Sequence, residues 1–542
     1  MLEGLMQHDF PLTLQLLLDR MRRLYADSEV VSARQGERPR AGYGQVIERS
    51  ERLAKALEQL GVQQGDRVAT FAWNTREHLE GYLAVPCMGA VLHTLNVRLF
   101  AEQLTYIVNH AEDKVILVED SLIPVLEPLA PTFETVEHYV VIGDGPAGDL
   151  PNALRYEELL EEAGPGYVFP DLDDRQAAGL CYTSGTTGNP KGVLYSHRSN
   201  ILHALGQCMA DSIGMTSDDR VMPVVPMFHA NAWGIPYACT MTGADLVMPG
   251  LNLKPEALAR LIEEERVTCS AAVPTIWMDL LRYADEHKPD LSSLRLVICG
   301  GSAVPLSLMQ QFEERHEVRI IQAWGMTETS PLGSVARPPQ DATEEEHWRY
   351  RATAGRPSGL VQARLVRDGG EEVPHDGTST GELEVRGPSV ARAYYRDDQS
   401  EAKFDSGWLR TGDIAAIDER GYIMISDRAK DVIKSGGEWI SSVELEIEIM
   451  AHEKVHEAAV IAMSHERWGE RPLACVVLEP EAELTLDELN GHLAERVAKW
   501  WLPDEFAIVD EVPKTSVGKF DKKVLRRRLE EGRLERVNAA PG

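Results

Sequence analysis

The sequence predicts an α/β protein with a large, multi-sheet amino-terminal domain followed by a small α+β domain. Three observations predict it. The 542 residues exceed what one core usually organises. The first two-thirds alternates helical periodicity with short apolar runs bounded by Gly, Pro or Asp, the grammar of helices packed on largely parallel sheets. After about Gly359 the texture changes to short, turn-punctuated strands and then to a smaller unit.

From Gln45 to Leu60, apolar Val46, Leu53, Leu57 and Leu60 recur at helical intervals and predict a helix. G-D-R-V-A-T-F-A then reads as a turn feeding a buried strand from Arg67. Further strands are expected over Lys114 to Val118, His138 to Ile142, Val267 to Val273 and Leu294 to Cys299, with a helix over Lys254 to Glu264. Ala342 to Arg351 is a charged insertion with helical propensity, read as a solvated face. Glu382 to Gly387 and Gly421 to Asp427 read as strands. The polar link Asp427-Arg428-Ala429-Lys430 marks the domain boundary. Beyond it come strands near Ala458 to Ala462 and Leu473 to Leu478, a helix from Leu486 to Lys499, and a basic surface helix from Lys519 to Arg536.

Composition narrows the function. A net charge of −31 argues against a nucleic-acid-binding surface, because phosphate backbones need a dominant basic footprint. Seven cysteines, odd in number and without a C-x-x-C pair, suggest neither a disulfide framework nor a zinc site and fit a reducing cytoplasm. No run approaches the length of a membrane span, and the amino terminus lacks a basic leader before an apolar core.

The run Y-T-S-G-T-T-G-N-P-K-G, Tyr182 to Gly192, is suited to wrapping a polyphosphate. Gly185, Gly188 and Gly192 remove Cβ atoms that keep backbone N–H groups from an anion. Thr183, Ser184, Thr186 and Thr187 supply hydroxyls, and Lys191 a positive charge. It is not a Walker loop, since Lys191 lies between Pro190 and Gly192. Taken alone, it is equally an ordinary turn.

Gly300-Gly301-Ser302 follows an apolar strand, placing a backbone-accessible turn at a carboxyl edge where α/β proteins bind ligands. In Q-A-W-G-M-T-E-T-S, Gln322 and Ala323 lead to Trp324, a flat face for a purine, and Gly325, which permits close approach. Thr327 can bond a phosphate, and Glu328 is a hard oxygen ligand suited to magnesium. Asp413, in Thr411-Gly412-Asp413, can accept two hydrogen bonds from ribose hydroxyls. Arg428, Lys430, Lys434 and Trp439 follow, with Lys519 in K-T-S-V-G-K-F-D near the end. Singly, each of these has a bland structural reading.

With P-M-F-H-A-N-A-W, G-E-L-E-V-R-G, R-T-G-D and D-R-A-K-D-V-I-K-S-G-G-E-W, the ordered set resembles the adenylate-forming superfamily of acyl-CoA synthetases, luciferases and peptide-synthetase adenylation domains. The resemblance covers nearly the whole chain. It implies that fold, with an amino-terminal domain over 1–426, a hinge linker over 427–432 and a mobile domain over 433–542 carrying Lys519. It also implies a two-step reaction in which a carboxylate and Mg-ATP give an acyl-adenylate and pyrophosphate, and coenzyme A then displaces AMP. By the same resemblance Lys519 bridges the carboxylate and α-phosphate, and Glu328 with Ser184 or Thr187 holds magnesium. Asp427 is the hinge, Arg428 meets ribose or phosphate, and Lys430, Lys434 and Trp439 face nucleotide, coenzyme or the large domain. Trp324 stands where tyrosine is frequent in relatives, keeping the stacking face without the phenolic hydroxyl.

The stretch from Pro226 to Tyr237 offers no acidic residue for an α-ammonium, which argues against an amino-acid substrate. His229 and Trp233 look similar to residues that line and gate the acyl tunnel of bacterial fatty acyl-CoA synthetases, and His229 is also placed among the catalytic residues. Asn231 and Gly301 join them in the acyl site. The wording most resembles medium- to long-chain fatty acyl-CoA synthetases, with a short sulfur acid, 3-methylmercaptopropionate, as the alternative substrate. A non-catalytic adenylate-binding protein and a luciferase-like oxygenase are the rival classes. Such fatty acyl enzymes imply a homodimer.

Overall fold

The computed structural model describes residues 6–7, 9–34, 36–183, 189–367, 369–398, 400–428, 431–435, 438–465, 467–494, 496–515 and 520–538. Two sheets form the body of the large domain. A nine-stranded sheet runs, in spatial order, from Arg356–Pro357 through Leu332–Val335, Ile320–Gly325, Leu296–Gly300, Cys269–Ala272, Arg220–Pro223, Asp245–Met248 and Glu29–Ser32 to Arg40–Gly42. A seven-stranded sheet is built round Asp113–Glu119, Arg67–Phe71 and Val91–Thr94. In both, the central strands are parallel; antiparallel pairs close both ends of the nine-stranded sheet and one end of the seven-stranded one.

Strand periodicity explains the layering. In Leu296–Gly300, Leu296 and Ile298 face a core shared with the other large sheet, while Val297 and Cys299 face an outer core with Trp277 and Phe312. Val115 and Leu117 likewise enter the shared core, and Ile116 and Val118 an outer one. Burial on both faces is why these strands read as continuous apolar runs. The helix Tyr43–Gln59 buries Val46, Leu53 and Leu57, the stripe expected from the sequence.

A third, antiparallel sheet contains Gln362–Val366, Gly381–Arg386, Trp408–Ile417 and Ile423–Arg428. The small domain's sheet pairs Val455–His465 with Gly469–Leu478 and adds Glu505–Ile508. Asp427 and Arg428 close a strand, opposite Ile414 and Asp413, so the expected polar link begins inside a sheet.

Three expectations need correction. The helix from Leu486 stops at Leu493 instead of Lys499, because the chain folds back; Asn490 Nδ2 donates to the Pro503 carbonyl at 3.1 Å while Trp501 and Leu502 return to the core. The basic tail is a shorter helix, Lys522–Glu530, followed by a strand, Glu535–Asn538, added to the sheet edge. Three of its cations are paired: Lys522, Arg526 and Arg536 face Glu446, Asp431 and Glu505. The insertion does form a helix, Glu344–Arg351, started by a Thr343/Glu346 capping box, but its end is buried. Arg351 pairs with Glu313 and donates to the Ile320 carbonyl at 2.7 Å.

All seven cysteines are free, and among the described residues no helix is long and apolar enough to cross a membrane. Phe506 is fully buried in the small domain's core. Phe506→Ala should cost about 3–5 kcal/mol there; hydrogen exchange is expected to show lost protection in Val455–His465 and Gly469–Leu478 with the large domain unchanged.

Candidate active site

A cavity of about 1470 Å³ lies between the strand ends of the large domain and the small domain. At one side is the neck of the loop expected to wrap polyphosphate. Thr183 N donates to the Lys191 carbonyl at 2.9 Å and Lys191 N to Thr183 Oγ1 at 3.1 Å, closing the loop's base. Gly192 follows where a Cβ would stand 3.1 Å from that of Tyr395, so the close strand approach leaves little room for a larger residue. Lys191 Nζ lies 2.9 Å from Asp397 Oδ2 and 4.8 Å from the Tyr394 ring centre. Thr183 and Lys191 line the cavity. Ser184, Gly185, Thr186, Thr187 and Gly188 lie outside the described residues, as do Lys430, Lys519 and the side chain of Trp439.

The strand Ile320–Gly325 delivers Gln322, Ala323, Trp324 and Gly325 to the opposite wall, with Thr327 and Glu328 just beyond. At Gly325 a Cβ would fall 2.0 Å from the Pro331 carbonyl oxygen. Trp324 Nε1 donates to Asp413 Oδ2 at 2.9 Å, and Arg428 Nε lies 2.7 Å from Asp413 Oδ1. The indole therefore supplies a hydrogen-bond donor of its own, and Asp413 is held from both sides. Glu328 accepts from the Tyr394 hydroxyl at 2.7 Å. Burial, and then Glu328 beside it, holds the Tyr394 phenol protonated far above its ordinary range, so it remains a donor. Among the described residues no cluster of three His, Cys, Asp or Glu groups is placed to hold a metal. A single buried carboxylate suits magnesium, which binds largely through phosphates and water.

Several residues are placed differently from expectation. Gln322 spends its amide on the backbone, Oε1 accepting from Val304 N at 2.8 Å and Nε2 donating to Thr353 O at 2.9 Å. Gly301 and Ser302 line the cavity, whereas Gly300 stays within its strand. Lys434 is exposed and does not line it. Asn231 also lies outside the lining; its Oδ1 receives Tyr82 OH and Cys181 Sγ, each at 3.3 Å. That anchorage has a purpose, because Ala230, Asn231, Ala232 and Trp233 form a left-handed turn with φ of 42°, 54°, 47° and 58°. Each such residue costs roughly 1–2 kcal/mol unless its surroundings hold it. Asn231 thus fixes the turn that presents His229 and Trp233, which do line the cavity.

From the small domain, Glu444, Lys522 and the flanks of 516–519, Thr515 and Phe520, complete the lining. Asp427 Oδ2 accepts from Ser442 N at 2.6 Å and Ser442 Oγ at 2.5 Å, and Lys522 Nζ donates to the same Oγ at 2.6 Å. Burial raises the Asp427 carboxyl, with Lys522 and these bonds opposing the rise. Tyr394, Asp397, Ser442 and Lys522 were not picked out from sequence; Lys522 was read only as part of the basic tail helix, and the other three lie outside the motifs singled out.

The AMP-binding enzyme family model matches residues 19–395. The chain belongs to the AMP-binding enzyme family. The family's C-terminal domain model matches residues 444–519. This AMP-binding enzyme is 46% identical over 527 residues to a long-chain-fatty-acid–CoA ligase of Thermus thermophilus, covering 96% of each chain. It is 43% identical to a medium-chain-fatty-acid–CoA ligase of Ectopseudomonas oleovorans, covering 94% of each, and 43% identical to a 3-methylmercaptopropionyl-CoA ligase of Ruegeria lacuscaerulensis, covering 95% of this chain and 97% of that one. Among solved structures, an anthranilate CoA ligase with anthranoyl-AMP superposes with a TM-score of 0.87 at 26% identity, over 97% of this chain and 99% of that one. ATP-bound MatB from Rhodopseudomonas palustris gives 0.83 at 27% identity, over 97% and 100%.

Trp324→Phe keeps a flat ring and removes the N–H bonded to Asp413. A hydrogen bond to a charged group is worth about 1.5–3 kcal/mol, so the KM for ATP should rise about tenfold or more in steady-state kinetics, with a smaller change in kcat.

Proposed function

We propose that this protein is an AMP-forming acyl-CoA synthetase that activates medium- to long-chain carboxylic acids. One observation carries the reading: Thr183, Lys191, Trp324, Glu328 and Asp413 converge on a single cavity that is also lined by His229, Trp233 and apolar Ile213, Ile235 and Leu332. The relatives named for medium- and long-chain acids, at 43% and 46% identity, support the choice of acid.

In the first step a carboxylate oxygen attacks the α-phosphorus of ATP, the bond to the bridging oxygen breaks, and pyrophosphate leaves. Two anions must approach, so the site has to supply countercharge and positioning. Lys519 is assigned that task, and Thr515 and Phe520 on either side of its segment line the cavity. Lys191 and the hydroxyls of 183–187 meet the polyphosphate, Asp413 the ribose hydroxyls, and Trp324 the purine face. Glu328, with Ser184 or Thr187, would hold magnesium, which supplies charge neutralisation on the phosphates. Tyr394 aims the Glu328 carboxylate.

In the second step the thiol of coenzyme A attacks the acyl carbon and AMP departs with the bonding electron pair. The small domain is assigned a turn about Asp427 between the steps, withdrawing Lys519 and presenting the segment around Trp439. The protein is assigned to the cytoplasm as a homodimer, which light scattering tests directly.

Lys519→Ala should lower adenylate formation by at least about 100-fold, in line with loss of an oriented charge at the reacting atoms, while ATP binding by calorimetry changes little. Unchanged adenylate formation would sink the assignment. A coenzyme-A-dependent AMP-release assay across linear acids of increasing length, plus 3-methylmercaptopropionate, checks the substrate. Maximal turnover with medium or long acids is expected; activity confined to the sulfur acid overturns that choice, and an oxidised product without coenzyme A overturns the ligase.

A further inference from the structure

Besides the chain of bonds at Asp427 and Ser442, Arg282 joins the two domains. It lies in the helix Pro274–His287, one turn beyond Met278 and Asp279, which line the cavity. Its Nη2 donates to Glu479 Oε1 at 3.1 Å, and its Nη1 stands 3.5 Å from His456 Nε2. His456 Nδ1 lies 3.3 Å from the same Glu479 oxygen, so one side chain of the large domain and two of the small domain close on one another.

The small-domain half of this contact is built into its sheet. Val455 stands opposite Leu478 and Glu457 opposite Val477, so His456 is the extra residue of a β-bulge, a device that re-aims a side chain, and Glu479 directly follows the partner strand. The next residue along, Glu457, is buried and lies 2.6 Å from Lys514 Nζ. Lys514 lines the cavity, and its backbone bridges to Phe520, which lines it too. Adjacent residues of one strand thus meet the large-domain helix on one hand and, on the other, the lysine that leads into 516–519.

Arg282 therefore bears on the orientation of the small domain. A small domain that turns as a body about Asp427 gives up the Arg282 contact and the cavity contacts of Lys514 and Phe520 together. A partly exposed ion pair adds little to folding stability, but an enzyme that passes through two orientations in every turnover holds them close in free energy, and there a few-fold bias decides the populations.

We propose that Arg282 is a positioning residue for the first step: by holding Glu479 and His456 it favours the orientation in which Lys514 and Phe520 face the cavity, and the second step requires that hold to be released. The inference rests on the acyl-CoA synthetase reading above and on its two orientations.

The test measures two single-turnover rate constants: pyrophosphate formation from ATP and a medium-chain acid, and acyl-CoA formation when coenzyme A is added to the acyl-adenylate so formed. The proteins are the wild type, Arg282→Glu, Arg282→Met and the exchanged pair Arg282→Glu/Glu479→Arg. The first constant scales with the fraction of molecules in the orientation described and the second with the fraction outside it, so their ratio follows the equilibrium whichever orientation dominates. Arg282→Glu replaces an attraction by a repulsion and should lower the first-to-second ratio about fivefold or more. Arg282→Met keeps the stem without the charge and should lower it about two- to fivefold, and the exchanged pair should return it to within about twofold of the wild type. A small domain that is merely loosened loses both steps alike and leaves the ratio where it was. A ratio unchanged in both single variants, or lowered and not restored by the exchange, overturns the role of Arg282 and leaves the ligase reading intact. Absence of pyrophosphate from the wild type with every acid overturns the ligase reading and this inference with it.

Discussion

A protein of net charge −31 that joins a carboxylate to a phosphate must keep positive charge where the two anions meet, against its own field. Much of the cavity's construction answers that requirement. The cations at its rim are held by carboxylates that fix their direction: Lys191 by Asp397, Arg428 by Asp413, Lys522 by Glu446. Lys191 lies over the face of Tyr394, and Tyr394 in turn donates to Glu328, so one phenol links the cation proposed to meet polyphosphate to the carboxylate proposed to hold magnesium. Such pairs add little to stability once desolvation is counted. Their value is orientation, because a charge held before the reaction needs no reorganisation during it.

The same economy appears at the proposed hinge. Asp427 receives Arg428 N and both donors of Ser442, and Ser442 Oγ receives Lys522. Lys522 begins the helix that follows the segment containing Lys519. The end of a large-domain strand, the first turn of a small-domain helix and the approach to Lys519 thus share one buried polar chain. On the proposed reading, rotation about Asp427 has to exchange these bonds, which makes the two orientations discrete rather than graded.

Elements with strong periodicity were legible. His138–Ile142 falls on the expected residues, and the helix Tyr43–Gln59 and the strand Leu296–Gly300 lie within two residues of expectation. What failed depended on tertiary partners: the helix expected to Lys499 is cut short at Leu493 by the return of Trp501 to the core, and the basic tail becomes helix and strand because its cations find carboxylates. At the site, residue type was enough to select Trp324, Glu328 and Asp413, since few side chains stack, bind magnesium or accept from ribose. It could not reveal that Trp324 and Asp413 bond each other or that Asn231 anchors a left-handed turn. Those facts arise from strands and helices far apart in sequence.

The central claim is that one cavity performs a carboxylate activation that is complete before coenzyme A takes part. A single-turnover reaction with enzyme in excess over ATP, a medium-chain acid and no coenzyme A tests it most directly. The expected result is pyrophosphate approaching one equivalent per ATP with acyl-AMP retained on the enzyme, followed by release of AMP and acyl-CoA when coenzyme A is added. Formation of ADP and phosphate, or no pyrophosphate until coenzyme A is present, would contradict it.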